Sequence, residues 1–154
     1  MRNSIHPVKV FAIRDEVRPV TGSADAAAID LRVNLSEREP YMVLQPGESR
    51  LVGSGLHMEI PVGWCGIIIP RSGMGSKGLH IKNVTGLIDA DYRGEIQLGL
   101  VNNGTEEIII ERFERVCQMV IVPHYPHVVE FVDSVDQLSE TDRGTGGFGH
   151  SGKQ

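Results

Sequence analysis

Residues 96–111 read Ile96-Gln97-Leu98-Gly99-Leu100-Val101-Asn102-Asn103-Gly104-Thr105-Glu106-Glu107-Ile108-Ile109-Ile110-Glu111. The first six residues alternate between large apolar and small or polar side chains, the two-residue period of a half-buried strand. Asn102-Asn103-Gly104-Thr105 then supplies turn chemistry, and Glu107 to Glu111 returns as an apolar run. The stretch predicts a β-hairpin closed by Asn-Gly.

The same pattern recurs on both sides. Val8 to Ile13 alternates, and Met42-Val43-Leu44 runs into the Pro46-Gly47 turn. Arg50 to Val52 and Leu56 to Ile60 are short strands, the second stopped by Pro61. Trp64 to Ile69 is a buried strand stopped by Pro70, and Val116 to Val122 is another, closed by Pro123. Val128 to Val132 is the last strand expected. Ala26 to Val33 mixes helix-favouring alanines with an Ile-Asp-Leu-Arg-Val alternation, and we read it as strand. Arg18 to Ser23 reads as a loop, and only Met74–Lys77 and Ser134–Ser139 suit short helices. About ten short strands separated by turns predict an all-β sandwich or barrel.

At 154 residues the chain is long enough to bury one core. Residues 1–142 form the expected β domain, and the glycine-rich 143–154 a flexible tail with almost nothing apolar to bury. A net charge of −5 argues against a broad nucleic-acid-binding face. An anionic ligand must then be met by locally placed arginines and a metal cation. Cys65 and Cys117 sit in apolar runs and read as buried free thiols, although one disulfide is also compatible with them. No run is long enough to span a membrane and no signal core opens the chain, so the expectation is a cytoplasmic protein, nuclear or organellar if eukaryotic.

Three stretches carry chemistry. Residues 83–96, Asn83-Val84-Thr85-Gly86-Leu87-Ile88-Asp89-Ala90-Asp91-Tyr92-Arg93-Gly94-Glu95-Ile96, read as strand, tight turn and strand. Asp89 and Tyr92 there offer a carboxylate and a flat ring, although Asp is also common in ordinary turns. Pro70-Arg71-Ser72-Gly73-Met74-Gly75-Ser76-Lys77-Gly78 follows a buried strand with a guanidinium, hydroxyls and a backbone able to nest an anion. The tail adds Arg143, Phe148, Ser151 and Lys153, groups that suit closure over a phosphorylated ligand. Gly147 to Lys153 imitates a P-loop, but Gln154 replaces the required Ser or Thr. His124 and His127 flank a Tyr-Pro pair without metal spacing, and no Gly-x-Ser-x-Gly elbow supports a serine nucleophile.

Taken in order, five motifs resemble the trimeric dUTP diphosphatases. They are Ala28-Ile29-Asp30-Leu31-Arg32, Pro70-Arg71-Ser72-Gly73, Gly86 to Gly94, Glu114-Arg115-Val116-Cys117-Gln118-Met119-Val120, and Arg143 to Gly152. The resemblance implies a jelly-roll-like β-barrel, a homotrimer with sites at subunit interfaces, and Mg²⁺-assisted hydrolysis of dUTP to dUMP and pyrophosphate. Such an activity limits uracil in DNA and supplies dUMP for dTMP synthesis. Carried over by position, Asp89 activates the attacking water. Asn83, Gly86, Leu87 and Ile88 read uracil, and Tyr92 packs on the sugar. Arg71, Ser72, Gly73 and Gln118 hold phosphates, and Asp30 touches the metal through water. Arg143, Phe148, Gly149 and Ser151 close the site, with the tail supplied by a different chain from Asp89.

Two positions depart from the family pattern, Ala28 and Phe113, each standing where glycine is usual. Both bear on backbone freedom more than on chemistry. A dCTP deaminase of related fold, and a β-barrel interaction module that keeps the nucleotide pocket, are the competing readings.

Overall fold

The fold is that of a computed structural model, which describes residues 7–125 and 129–147. Twelve strands dominate the described residues: β1 (Lys9–Ala12), β2 (Val20–Thr21), β3 (Ala28–Arg32), β4 (Tyr41–Leu44), β5 (Ser49–Gly53), β6 (Leu56–Glu59), β7 (Trp64–Pro70), β8 (Leu79–Ile81), β9 (Gly86–Ile88), β10 (Gln97–Asn102), β11 (Ile108–Glu111) and β12 (Arg115–Pro123). One helical turn, α1 (Ser72–Gly75), and two 3₁₀ turns (Asp15–Val17, Val135–Gln137) complete the regular structure. The result is an all-β fold, as the alternation predicted, and jelly-roll-like, as the resemblance implied.

The central sheet has the order β2-β3-β12-β7-β9, antiparallel throughout. β12 is its spine, pairing with β3 on one side and β7 on the other. A three-stranded sheet, β5-β10-β8, and two pairs, β1-β6 and β11-β4, close over the core. Leu31, Leu44, Leu56, Ile68, Leu98, Leu100, Ile110 and Met119 meet there from all four. Their alternation with outward residues, seen in β10 as exposed Gln97 beside buried Leu98 and Leu100, fixes the register of each strand.

Most strand positions match the expectations, although β8 was not foreseen, but the hairpins do not match. β10 and β11 do not pair: β10 lies between β5 and β8, and β11 lies against β4. The reason is Asn102, fully buried at the end of β10. Its amide nitrogen donates to the carbonyls of Leu44 and Glu106, both at 2.8 Å, and its oxygen accepts from the Gly104 N–H at 2.9 Å. Asn103 donates to the Gly78 carbonyl rather than across a hairpin. A Cβ on Gly104 would lie 2.6 Å from the Lys77 carbonyl, so glycine is needed here for close approach. The Asn-Gly signal therefore marks a corner between sheets. Residues 83–96 likewise join two sheets, since β9 pairs with β7 while Ile96 bonds to Ser54 and Leu56.

Two strand expectations also differ. Val20–Thr21 is a strand paired with β3, not part of a loop. Val128 lies outside the described residues, and 129–132 form no strand: they pair with none of the described sheets. Both cysteines are free; burial pushes the Cys117 thiol up to about 12.

The corner yields a stability prediction. Asn102→Ala leaves two carbonyls and one N–H without their partners and should cost about 3 kcal/mol. Asn103→Ala, an exposed neighbour, should stay within about 0.5 kcal/mol of wild type. Urea denaturation checks this, and equal midpoints for the two variants would contradict the corner role.

Candidate active site

The site residues fall into two groups, each built on the central sheet. The first surrounds a cleft of about 230 Å³ lined by Asn83, Gly86, Leu87, Ile88, Asp89 and Tyr92, with Ile68, Ile81, Gln97 and Gly99 beneath. Its wall is β9, the last strand of its sheet, bonded to β7 on one side. An edge strand keeps a row of backbone donors and acceptors for another partner. Gly86 permits the close packing on β7, since a Cβ there would stand 3.1 Å from the Ile68 Cβ.

Asn83 reaches the cleft from a three-residue turn. Thr85 donates to the Asn83 carbonyl at 2.8 Å, with Val84 between them at φ +68°. A β-branched residue in that region costs on the order of 1–2 kcal/mol. Val84 is 84% exposed and has no packing that offsets the cost.

At the far end, Tyr92 N–H donates to the Asp89 carbonyl at 3.2 Å and folds residues 89–92 into a turn. The Tyr92 hydroxyl donates to the Glu95 carbonyl at 2.9 Å, laying the ring over Gly94, where any Cβ would collide with it. Arg93 braces the turn from outside through the Ala90 and Tyr92 carbonyls. Among the described residues the Asp89 side chain has no hydrogen-bond or ion-pair partner. It faces both the cleft and a second hollow lined by Val62, Ala90, Asp91, Arg93 and His124.

The second group is cationic. Asp30, 8% exposed on β3, forms an ion pair with Arg71 Nε through one oxygen and accepts a hydrogen bond from Arg115 Nη1 on the other, both at 3.0 Å. Arg71 also donates to the Arg115 carbonyl at 3.2 Å. Gln118 sits opposite Asp30 in the register and donates to the Pro70 carbonyl at 3.3 Å. These residues border two hollows. One, of about 620 Å³, is lined by Arg32, Arg71, Ser72, Gly73, Lys77 and Arg115 with Glu114. The other, of about 430 Å³, holds Ala28, Asp30, Ser72 and Gln118. Arg115, Arg32 and Lys77 were not singled out from sequence, although Arg115 lies within the Glu114 to Val120 stretch.

The two groups do not meet within one chain. Ile88 pairs with Gly66 near the start of β7, whereas Arg71 follows its end at Pro70. At about 3.3 Å per residue, Asp89 and Arg71 lie roughly 20 Å apart along the sheet. Of the tail residues, Arg143 donates to the Gly146 carbonyl at 2.8 Å within its own turn and lines neither group's hollows. Phe148, Gly149 and Ser151 lie outside the described residues.

Comparison with known proteins places this geometry. The dUTPase family model matches residues 18–152. The deoxyuridine 5'-triphosphate nucleotidohydrolase of Escherichia phage T5 is 42% identical over 149 residues, covering 96% of this chain and 99% of that protein. The dUTPase of Staphylococcus bacteriophage 80alpha, solved with dUPNHPP, superposes with a TM-score of 0.81 at 26% identity, covering 97% of this chain and 100% of the other. The dUTPase of phage phi11 of S. aureus, whose structure coordinates a structural Mg(II) ion, has a TM-score of 0.71 at 23% identity and shares the fold over 85% of this chain and 99% of that one. With the family model spanning nearly the whole fold and a relative matching end to end, the chain belongs to the dUTPase family.

Proposed function

We propose that the protein hydrolyses dUTP to dUMP and pyrophosphate, at sites formed between chains of a homotrimer. The observation that carries this reading is the cleft where Asn83, edge strand β9, Asp89 and Tyr92 converge. At about 230 Å³ it is smaller than the usual ~300–1,000 Å³ of a drug-sized ligand site, so it suits a base and sugar but not a whole nucleoside triphosphate. Uracil's edge pairs with the unpaired side of β9 and with Asn83. Cytosine presents the opposite donor and acceptor at N3 and position 4, which leaves buried backbone groups unmatched. Tyr92 packs against the sugar, where a ribose hydroxyl would clash.

Asp89, on the open mouth of the cleft, takes the proton of a water that attacks the α-phosphorus. The bond from that phosphorus to the bridging oxygen breaks, and pyrophosphate leaves with the electron pair. Much of the rate comes from holding water and phosphorus in line. Arg71, Ser72, Gly73 and Gln118 hold the phosphates, and the guanidinium excess around Asp30 offsets the chain's net charge of −5 locally.

Among the described residues no three His, Cys, Asp or Glu side chains stand together to cage a metal. Asp30 has a guanidinium on each oxygen, yet a carboxylate offers about four lone-pair sites, so it can still accept from a metal-bound water. This donor set fits Mg²⁺ held by phosphate oxygens and waters. Bound there, the ion neutralises charge on the phosphates and polarises the phosphorus.

Two features favour the assembly. One nucleotide cannot reach both Asp89 and Arg71 across roughly 20 Å of a single sheet. Residues 129–138 also expose Val129, Phe131, Val135 and Leu138, apolar groups left uncovered among the described residues. A neighbouring chain covers them, and residues 143–154 close over its site. No helix among the described residues is long and apolar enough to cross a membrane.

Incubation with dUTP, dCTP and dTTP in Mg²⁺ buffer should release pyrophosphate from dUTP alone and no ammonia from dCTP. Asp89→Asn should bind dUTP but turn it over on the order of 10²–10⁴-fold more slowly. Ammonia release, or near-normal turnover by the variant, would defeat the assignment. Tyr92→Ala should raise kcat/KM for UTP relative to dUTP; an unchanged ratio would remove Tyr92 from sugar selection.

A further inference from the structure

Phe113 holds φ at +64°, in the left-handed region that bulky residues rarely adopt. Ala28, the other departure from the family glycines, sits in ordinary extended backbone opposite Val120. Only at Phe113 does the missing glycine leave a strained residue, and the ring there has specific partners. Its centroid lies 4.4 Å from the Arg112 guanidinium carbon and 5.8 Å from that of Arg14, within cation–π reach of both. Arg112 is anchored in turn, donating from Nε to the Leu35 carbonyl at 3.1 Å.

The backbone of Phe113 is tied to β3. Its N–H donates to the Val33 carbonyl at 2.9 Å, its carbonyl accepts from Arg32 Nη1 at 2.8 Å, and Val33 N–H donates to the Glu114 carbonyl at 3.0 Å. Two residues later comes Arg115, and the register between β12 and β3 shifts between Arg115 and Cys117. A bulge of this kind re-aims the side chain beside it. Arg115 there meets Asp30, whose other oxygen holds Arg71, while Arg71 also bonds to the Arg115 carbonyl. Where β12 begins therefore sets both guanidiniums.

We propose that the Arg14–Phe113–Arg112 stack is a positioning device for the phosphate half of the site. It pins the start of β12 so that Arg115 and Arg71 share Asp30 and present their free N–H groups to the same anion. Phe113 itself touches no substrate. Arg115 becomes a second arginine facing the triphosphate, beyond Arg71. The proposal rests on the dUTP reading above.

The test separates phosphate binding from base binding. Phe113→Gly removes the ring while suiting the backbone angle, Phe113→Leu keeps bulk but lacks the π face, and Phe113→Tyr keeps the stack. For each, KM for dUTP and the inhibition constant of dUMP are measured well below the melting temperature, with folding checked by circular dichroism. The glycine and leucine variants should raise KM for dUTP about tenfold, the scale of a sub-ångström misplacement of binding groups, and leave dUMP inhibition unchanged. The tyrosine variant should match wild type. Unchanged KM in both disruptive variants, or equal weakening of dUTP and dUMP, would overturn the proposal. Wild-type protein that neither cleaves dUTP nor binds dUMP would overturn the nucleotide reading itself, and the proposal with it.

Discussion

One carboxylate organises the cationic half of the candidate site. Asp30 is nearly buried and holds a guanidinium on each oxygen. Removing one partner of such a cluster leaves charge without compensation in a poorly solvated place, which is strongly destabilising. The three residues come from β3, the start of β12 and the position just after β7, the adjacent strands at the heart of the central sheet. The same contacts that knit those strands also leave a surplus of positive charge at the surface. With Arg32 and Lys77 on the same hollow, the surplus is local, on a chain whose net charge is negative.

The other half works by shape and hydrogen bonding. Its wall is an edge strand, Ile68 and Ile81 lie beneath it with Gln97, and its one catalytic candidate, Asp89, stands at the mouth. Recognition of a flat, neutral ring calls for unpaired backbone groups, and recognition of a polyphosphate calls for fixed cations. A single antiparallel sheet offers the two at opposite ends of β7. The separation follows from register, and the proposed assembly would bring one chain's cleft to another's arginines.

Strand existence was legible in the sequence because alternation reports burial directly, residue by residue. Pairing was not. Asn102-Asn103-Gly104 has hairpin chemistry, yet a buried Asn102 side chain spends it on Leu44 and Glu106. Nothing local in the sequence says whether an asparagine will point inward. The apolar run ending at Val132 has strand composition, but residues 129–132 pair with no strand among the described residues, and composition alone does not supply a pairing partner. The lining of the cleft was legible where it lay in a compact stretch, as from Asn83 to Tyr92. The Asp30–Arg71–Arg115 cluster draws on positions dozens of residues apart, and only the register of β12 brings them together. Phe113 was visible as a departure, but its left-handed backbone and its two arginines were not.

The central claim is that each site joins the Asp89 cleft of one chain to the Arg71 hollow of another. The most direct measurement is complementation between two inactive proteins, Asp89→Asn and Arg71→Ala. They are unfolded, mixed in equal amounts and refolded, and mixed trimers are verified by native mass spectrometry. In a cyclic trimer with random assembly, about a quarter of interfaces join an intact Asp89 to an intact Arg71, so dUTP hydrolysis should recover to about a quarter of wild type. Activity that stays at the background of the parent proteins, with mixed trimers present, would mean that both halves act within one chain and would contradict the account.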